Sequence, residues 1–195
     1  MEKVKKIDIH MHTFPERGVS RWDGTTFLTI EEMRVFYDRI GVEKGVLLPM
    51  IAVAGHTDTV SMREARIMAQ EYPETVGWWF CNLSPTMAEN NPNADLSHYL
   101  NYYKGQGARG VGELTCNHYF DDPLVLNLFR HCERCRMPVL FHIGDLGNDY
   151  GLVDELGLPR LEKVLPMFPN LTFIGHSQKF WAEISGDCTA EVRGG

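Results

Sequence analysis

A chain of 195 residues, 44% hydrophobic and 23% charged, is long enough for one domain with a sizeable core and short for two ordinary ones. Its net charge of -7 argues against nucleic acid or an anionic membrane surface as a partner, because both reward a basic face. No apolar run approaches a membrane span, the N-terminus does not read as a secretory signal, and five cysteines without regular spacing read as free thiols, so the expected location is cytoplasmic.

Short β-rich runs alternate with longer amphipathic stretches. Strands are predicted at 7–12, 45–50, 76–83, 110–116, 139–143 and 171–176. Helices are predicted between them at 30–40, 61–72, 96–106, 123–136 and 158–168, the fourth with Val125, Leu128, Phe129 and Cys132 at helical spacing. Thr29 ahead of Glu31 and Glu32 marks a helix start, and Gly41 and Gly107 mark helix ends. Pro73, Pro138 and Pro169 each fall between a helix and the next strand. Such a βα repeat builds a parallel sheet, in a single domain without a linker.

Six strands at roughly 33 residues per unit fall two units short of an eight-unit barrel of about 250 residues. After His176 no strand or helix is predicted, apart from a turn around residues 181–184. The expected architecture is therefore either an open six-strand sheet or a TIM-like (β/α)8 barrel truncated after its sixth strand.

Active sites of parallel βα folds gather at the carboxyl ends of the strands. His10 and His12 end the first predicted strand, Glu113 lies late in the fourth, His142 ends the fifth and His176 ends the sixth. Alternation puts His10 and His12 on one face, and Glu113, His142 and His176 share parity with the inward residues of their strands. Imidazole and carboxylate donors suit a divalent metal, zinc first, with iron, manganese or nickel as alternatives.

These segments resemble the amidohydrolase superfamily, most closely the amidohydrolase-2 (amidohydrolase-related) family, which includes decarboxylases of the aminocarboxymuconate-semialdehyde and resorcylate type. The resemblance lies in Ile-Asp-Ile-His-Met-His at 7–12, Pro-Val-Leu-Phe-His at 138–142 and Phe-Ile-Gly-His-Ser at 173–177. It implies that His10, His12 and His142 bind the metal, and that His176 binds metal or polarises substrate. Val-Gly-Glu at 111–113 is also similar to a segment of the TatD-like nucleases, where the glutamate ligates or bridges metals. Here Leu-Thr-Cys-Asn follows it, in place of the continuation that group shows. His176 and Glu113 are the candidate catalytic residues that the resemblance implies. Both families also carry a strand-eight aspartate that binds metal and shuttles protons, and no segment here corresponds to it: Asp187 follows the sixth strand too closely, and Asp145 and Asp149 lie in the strand-five loop.

The resemblance implies a metal-dependent hydrolase that acts on a small molecule through activated water. Non-oxidative decarboxylation of an aromatic or unsaturated acid, TatD-like phosphodiester cleavage, and an inactive truncated barrel that packs against a partner or a second copy as a homodimer are the alternatives. His56 and His118, in loops after the second and fourth strands, and Arg17 near the first are candidate substrate contacts. His98, His131 and the Cys132–Cys135 pair read as surface or packing residues. Asp8, of inward parity beneath His10, is a candidate to hold an imidazole in one tautomer.

Overall fold

A computed structural model describes residues 4–50, 58–147 and 150–185. The fold is mixed α/β with parallel strands, and it divides into two compact units: Met1–Asn82 with Gln106–Arg109, and Leu83–Gly105 with Gly110–Gly195.

In the first unit β1 (Lys6–Met11), β2 (Val42–Leu47) and β3 (Val76–Trp79) form a parallel sheet in that order, connected by α1 (Ile30–Ile40) and α2 (Met62–Glu71). The bounds of α1 are those its local signals dictate. Thr29 accepts the Glu32 N–H at 3.4 Å while Glu32 accepts the Thr29 N–H at 3.0 Å, a reciprocal capping box, and Gly41 closes the helix. Ser61 and Glu64 repeat the device at α2, so Ser61 is the cap and not the first helical residue. The β1–β2 register runs from Asp8 opposite Gly45 to Met11 opposite Leu47, three residues against two. This irregularity interrupts the ladder at His10, whose N–H donates to Asp8 Oδ1 at 3.0 Å. Apolar side chains of all three strands fill the core, Met11, Leu47 and Trp79 among them, each under 5% exposed.

The second unit opens with α3 (Met87–Asn90), a single turn with positive φ at Ala88, Glu89 and Asn90, and α4 (Ser97–Gly105). Then come β4 (Val111–Leu114), α5 (Pro123–Cys135), β5 (Val139–Phe141), β6 (Ile143–Gly144), β7 (Leu152–Val153), α6 (Pro159–Val164), a 3-10 turn at Leu165–Met167, β8 (Phe173–Gly175) and α7 (Ser177–Ser185). The main sheet runs β4-β5-β8, all parallel, with β6 and β7 as a separate parallel pair. Helix α5 starts at Asp122, which accepts the Leu124 N–H at 2.8 Å, and buries Val125, Leu128, Phe129 and Cys132 as their spacing predicts. Phe129 packs edge-on against Phe173 at 5.1 Å and Phe168 at 5.9 Å, and Phe141 against Phe120 at 5.0 Å and Phe180 at 5.7 Å.

Three expectations for this unit need correction. The helix expected at 158–168 stops at Val164 and continues as a 3-10 turn, because Pro166 has no N–H to extend it. The strand expected at 139–143 breaks at His142, whose N–H donates to Leu114 while its carbonyl accepts from Leu152 at 2.7 Å, so two different neighbours hold its two sides. A helix, α7, follows His176 where only a turn was expected; it buries Ala182 and packs the half-buried Phe180 ring edge-on against Phe141. No helix among the described residues is long and apolar enough to cross a membrane.

Candidate metal centre

Glu113, His142 and His176 converge in the second unit. His142 Nδ1 lies 2.9 Å from Glu113 Oε1, His176 Nε2 lies 2.5 Å from the same oxygen, and the two nitrogens are 3.1 Å apart. Glu113 is 6% exposed, and a carboxylate so buried must be met by donors or by a cation. The three atoms fit one ion. Their triangle has a circumradius of about 1.7 Å, shorter than a metal–ligand bond of about 2.1 Å, so a point at bonding distance from all three lies just out of their plane. Two imidazole nitrogens and one carboxylate oxygen are a donor set suited to a divalent metal.

Local structure explains the convergence. Gly112 has φ +151°, and a Cβ there would lie 2.6 Å from the Leu140 carbonyl oxygen, so β4 approaches β5 this closely only with glycine ahead of Glu113. His142 is pinned through its backbone between Leu114 and Leu152, and the Tyr150 ring lies across its imidazole at a centroid distance of 4.4 Å. His176 follows Gly175, where a Cβ would strike the Phe180 ring at 2.4 Å; the closeness of α7 to β8 thus sets where His176 emerges.

In the first unit the His10 and His12 rings meet edge to face at 4.6 Å. His12 Nδ1 lies 3.2 Å from the Leu48 carbonyl oxygen, which can only accept, so Nδ1 carries the proton and Nε2 presents a lone pair. The backbone just past β2 thus holds the His12 tautomer, a task for which Asp8 was the candidate. Asp8 instead receives the His10 N–H on Oδ1 and the Tyr37 hydroxyl on Oδ2 at 2.7 Å. Burial first, and then this hydrogen bond, push the Tyr37 hydroxyl well above its ordinary value.

The other expected residues lie elsewhere. His118 is half-buried, with Nδ1 3.2 Å from the Asp122 carboxylate that caps α5. Arg17 is exposed and pairs with Thr26 and Glu32. His56, Asp149 and Asp187 lie outside the described residues. Asp145 is exposed and paired with Lys179 at 2.9 Å. His98 is exposed, and His131 is buried, its pKa lowered by desolvation, 3.4 Å from Asp95. Cys132 and Cys135 are buried in the α5 core face and form no disulfide. Tyr150 was not anticipated, for nothing in the strand-five loop marks which of its residues returns over His142.

No protein-family model matches the chain, and no curated protein does. Among solved structures it is similar to an uncharacterized TIM-barrel protein from Bordetella bronchiseptica, at 19% identity and a TM-score of 0.56, covering 84% of this chain and 55% of that one. It is also similar to 5-carboxyvanillate decarboxylase from Sphingomonas paucimobilis (17% identity, TM-score 0.49, covering 80% of this chain and 56% of that one). A third is the 5-carboxyvanillate decarboxylase from Novosphingobium aromaticivorans, complexed with manganese and 4-hydroxy-3-methoxy-5-nitrobenzoic acid (17%, 0.45, 80% and 52%). The first likeness shows the fold: these βα repeats are those of a TIM barrel. The chain spans just over half the length of these proteins.

Proposed function

We propose that this chain belongs to the amidohydrolase-2 type and carries a divalent metal site, zinc or manganese, that serves hydrolysis of a small-molecule amide or ester in the cytoplasm. The observation that carries the reading is the convergence of Glu113 Oε1, His142 Nδ1 and His176 Nε2 within 2.5–3.1 Å of one another. In the first unit His10 and His12 are a second pair of candidate ligands: their rings are adjacent, and Leu48 holds His12 in the tautomer a ligand needs. A bound metal ion would lower the pKa of water toward about 7 and polarise a substrate oxygen.

The protein's own groups divide the remaining work. Glu113, with 8% side-chain exposure, is sealed in and holds its two imidazoles at a fixed separation, and its single negative charge balances part of a dication. His176, at 19%, is the most open of the three and has two alternative roles: Nε2 would ligate the ion, or, with the ion held by the other donors, the imidazole N–H would stabilise negative charge developing on the scissile group. The net charge of -7 and the Leu-Thr-Cys-Asn that follows Glu113 weigh against a phosphodiester substrate.

The test is metal content by elemental analysis, followed by turnover. Wild-type protein purified with zinc or manganese should retain at least one equivalent, and Glu113→Gln and His142→Ala should retain far less. His10→Ala with His12→Ala should likewise lower the metal content, and content equal to wild type would remove that pair from the ligand set. Wild-type protein that retains no more metal than the variants would refute the site. Turnover confined to aromatic carboxylic acids, or to oligonucleotides, would replace hydrolysis of small amides and esters with decarboxylation or nuclease action.

A further inference from the structure

We infer that Tyr37 and Asp8 together position His10 as a metal ligand, by holding the bulge in β1 from which its imidazole projects. This rests on the reading of His10 and His12 as candidate ligands and adds two positioning residues to it. From Asp8 to Met11 β1 takes three steps where β2 takes two, from Gly45 to Leu47, so β1 carries one extra residue. Such a residue bends a strand and re-aims a side chain, and losing it by a one-residue slip would turn the side chains that follow to the other face of the sheet.

One carboxylate holds the bulge. Alternate residues of a strand point their N–H groups to the same side, and Lys6 gives its own to the Gly41 carbonyl at 3.3 Å, on the β2 side. The His10 N–H, of the same parity, goes instead to Asp8 Oδ1 at 3.0 Å, while Asp8 Oδ2 accepts the Tyr37 hydroxyl at 2.7 Å. Tyr37, 3% exposed, reaches from α1 past Gly45, where a Cβ would clash with the hydroxyl oxygen and lie 2.8 Å from Met11 Sδ. Glycine weakens a strand interior, and it marks a place where another group must come this close. Beyond the bulge the pairing resumes: Leu48 donates to the Met11 carbonyl at 3.0 Å, and its own carbonyl lies 3.2 Å from His12 Nδ1. His12 is thus set by backbone just past β2 and His10 by the Tyr37–Asp8 pair, and their rings meet at 4.6 Å. A β1 that served only the sheet would pair regularly with β2 and need neither the buried hydroxyl nor the glycine. The arrangement serves the imidazole that the bulge re-aims.

A double-mutant cycle tests this, read as zinc affinity by competition with a chelating indicator, on full-length protein below each variant's thermal midpoint. Tyr37→Phe should weaken the zinc Kd about tenfold and Asp8→Ala about 10- to 100-fold, the range for groups that orient a metal ligand. Asp8→Asn should stay within about threefold of wild type, because its Oδ1 still accepts from His10 and its amide N–H can donate to the Tyr37 oxygen. In a His10→Ala background Tyr37→Phe should change nothing, since its effect passes through that imidazole. Equal weakening in both backgrounds would show a general packing role and overturn the inference. Unchanged affinity in Tyr37→Phe, where His10→Ala weakens binding, overturns it while leaving His10 a ligand. His10→Ala with wild-type affinity removes His10 from the ligand set, and wild-type protein that binds no zinc removes the metal site; either takes the inference with it. Tyr37→Phe and Asp8→Asn decide the matter if Asp8→Ala does not fold.

Discussion

Gly112→Ala is the sharpest single perturbation of the candidate centre, because it replaces neither a candidate ligand nor a core side chain. At φ +151° an alanine is strained by about 1–3 kcal/mol. Its Cβ would also lie 2.6 Å from the Leu140 carbonyl oxygen and 3.0 Å from Leu140 Cβ. The first of these contacts is backbone in the adjacent strand, so relief means opening β4 from β5 by about 0.6 Å, an overpacking cost of about 1–3 kcal/mol. Together these predict a loss of about 2–6 kcal/mol, a large share of a typical total of about 5–15 kcal/mol. Urea denaturation measures it, with Gly105→Ala as the matched control: nothing lies within 4 Å of a Cβ there, and Gly105 ends α4, so that variant should be neutral or slightly stabilising. Metal content of Gly112→Ala under folding conditions should fall too, since Glu113 is the next residue. A Gly112→Ala protein within about 0.5 kcal/mol of wild type would refute the claim that close β4–β5 approach places Glu113.

Two further outcomes follow from buried polar groups. The Tyr37 hydroxyl is held protonated in the folded state by burial and by Asp8, while in the unfolded chain it ionises near pH 10, so its contribution is complete below about pH 10 and is lost as pH rises beyond. Tyr37→Phe should cost about 1–2 kcal/mol at neutral pH and flatten the alkaline fall in stability; an identical alkaline slope in the variant would count against the assignment. Asp154, 7% exposed, accepts the N–H groups of Glu155, Arg160 and Leu161 at 2.9, 3.1 and 2.8 Å. Asp154→Ala should cost about 2–3 kcal/mol and speed amide exchange at Arg160 and Leu161, and unchanged protection there would show that α6 does not depend on this cap.

Much of this fold is legible in the chain because its signals are local. Thr29, Glu32 and Gly41 set both ends of α1 within a dozen residues, and the Val125–Leu128–Phe129–Cys132 spacing marks the buried face of α5. Glu113, His142 and His176 were legible as a set by their positions at strand ends, since parallel βα topology turns that position into proximity. The detail around them was not. The irregular β1–β2 register interrupts the alternation assumed around His10, and Tyr37 lies 29 residues from the Asp8 it serves.

By itself, the sequence determined which candidate donors lie in or next to strand ends, because periodicity and capping act over a few residues. Tertiary structure decided how the donors meet: Glu113 between two imidazoles 29 and 63 residues away, and His12 set in one tautomer by a carbonyl 36 residues away. These depend on which backbone atoms arrive within about 3 Å of a side chain, and packing between distant segments sets such distances.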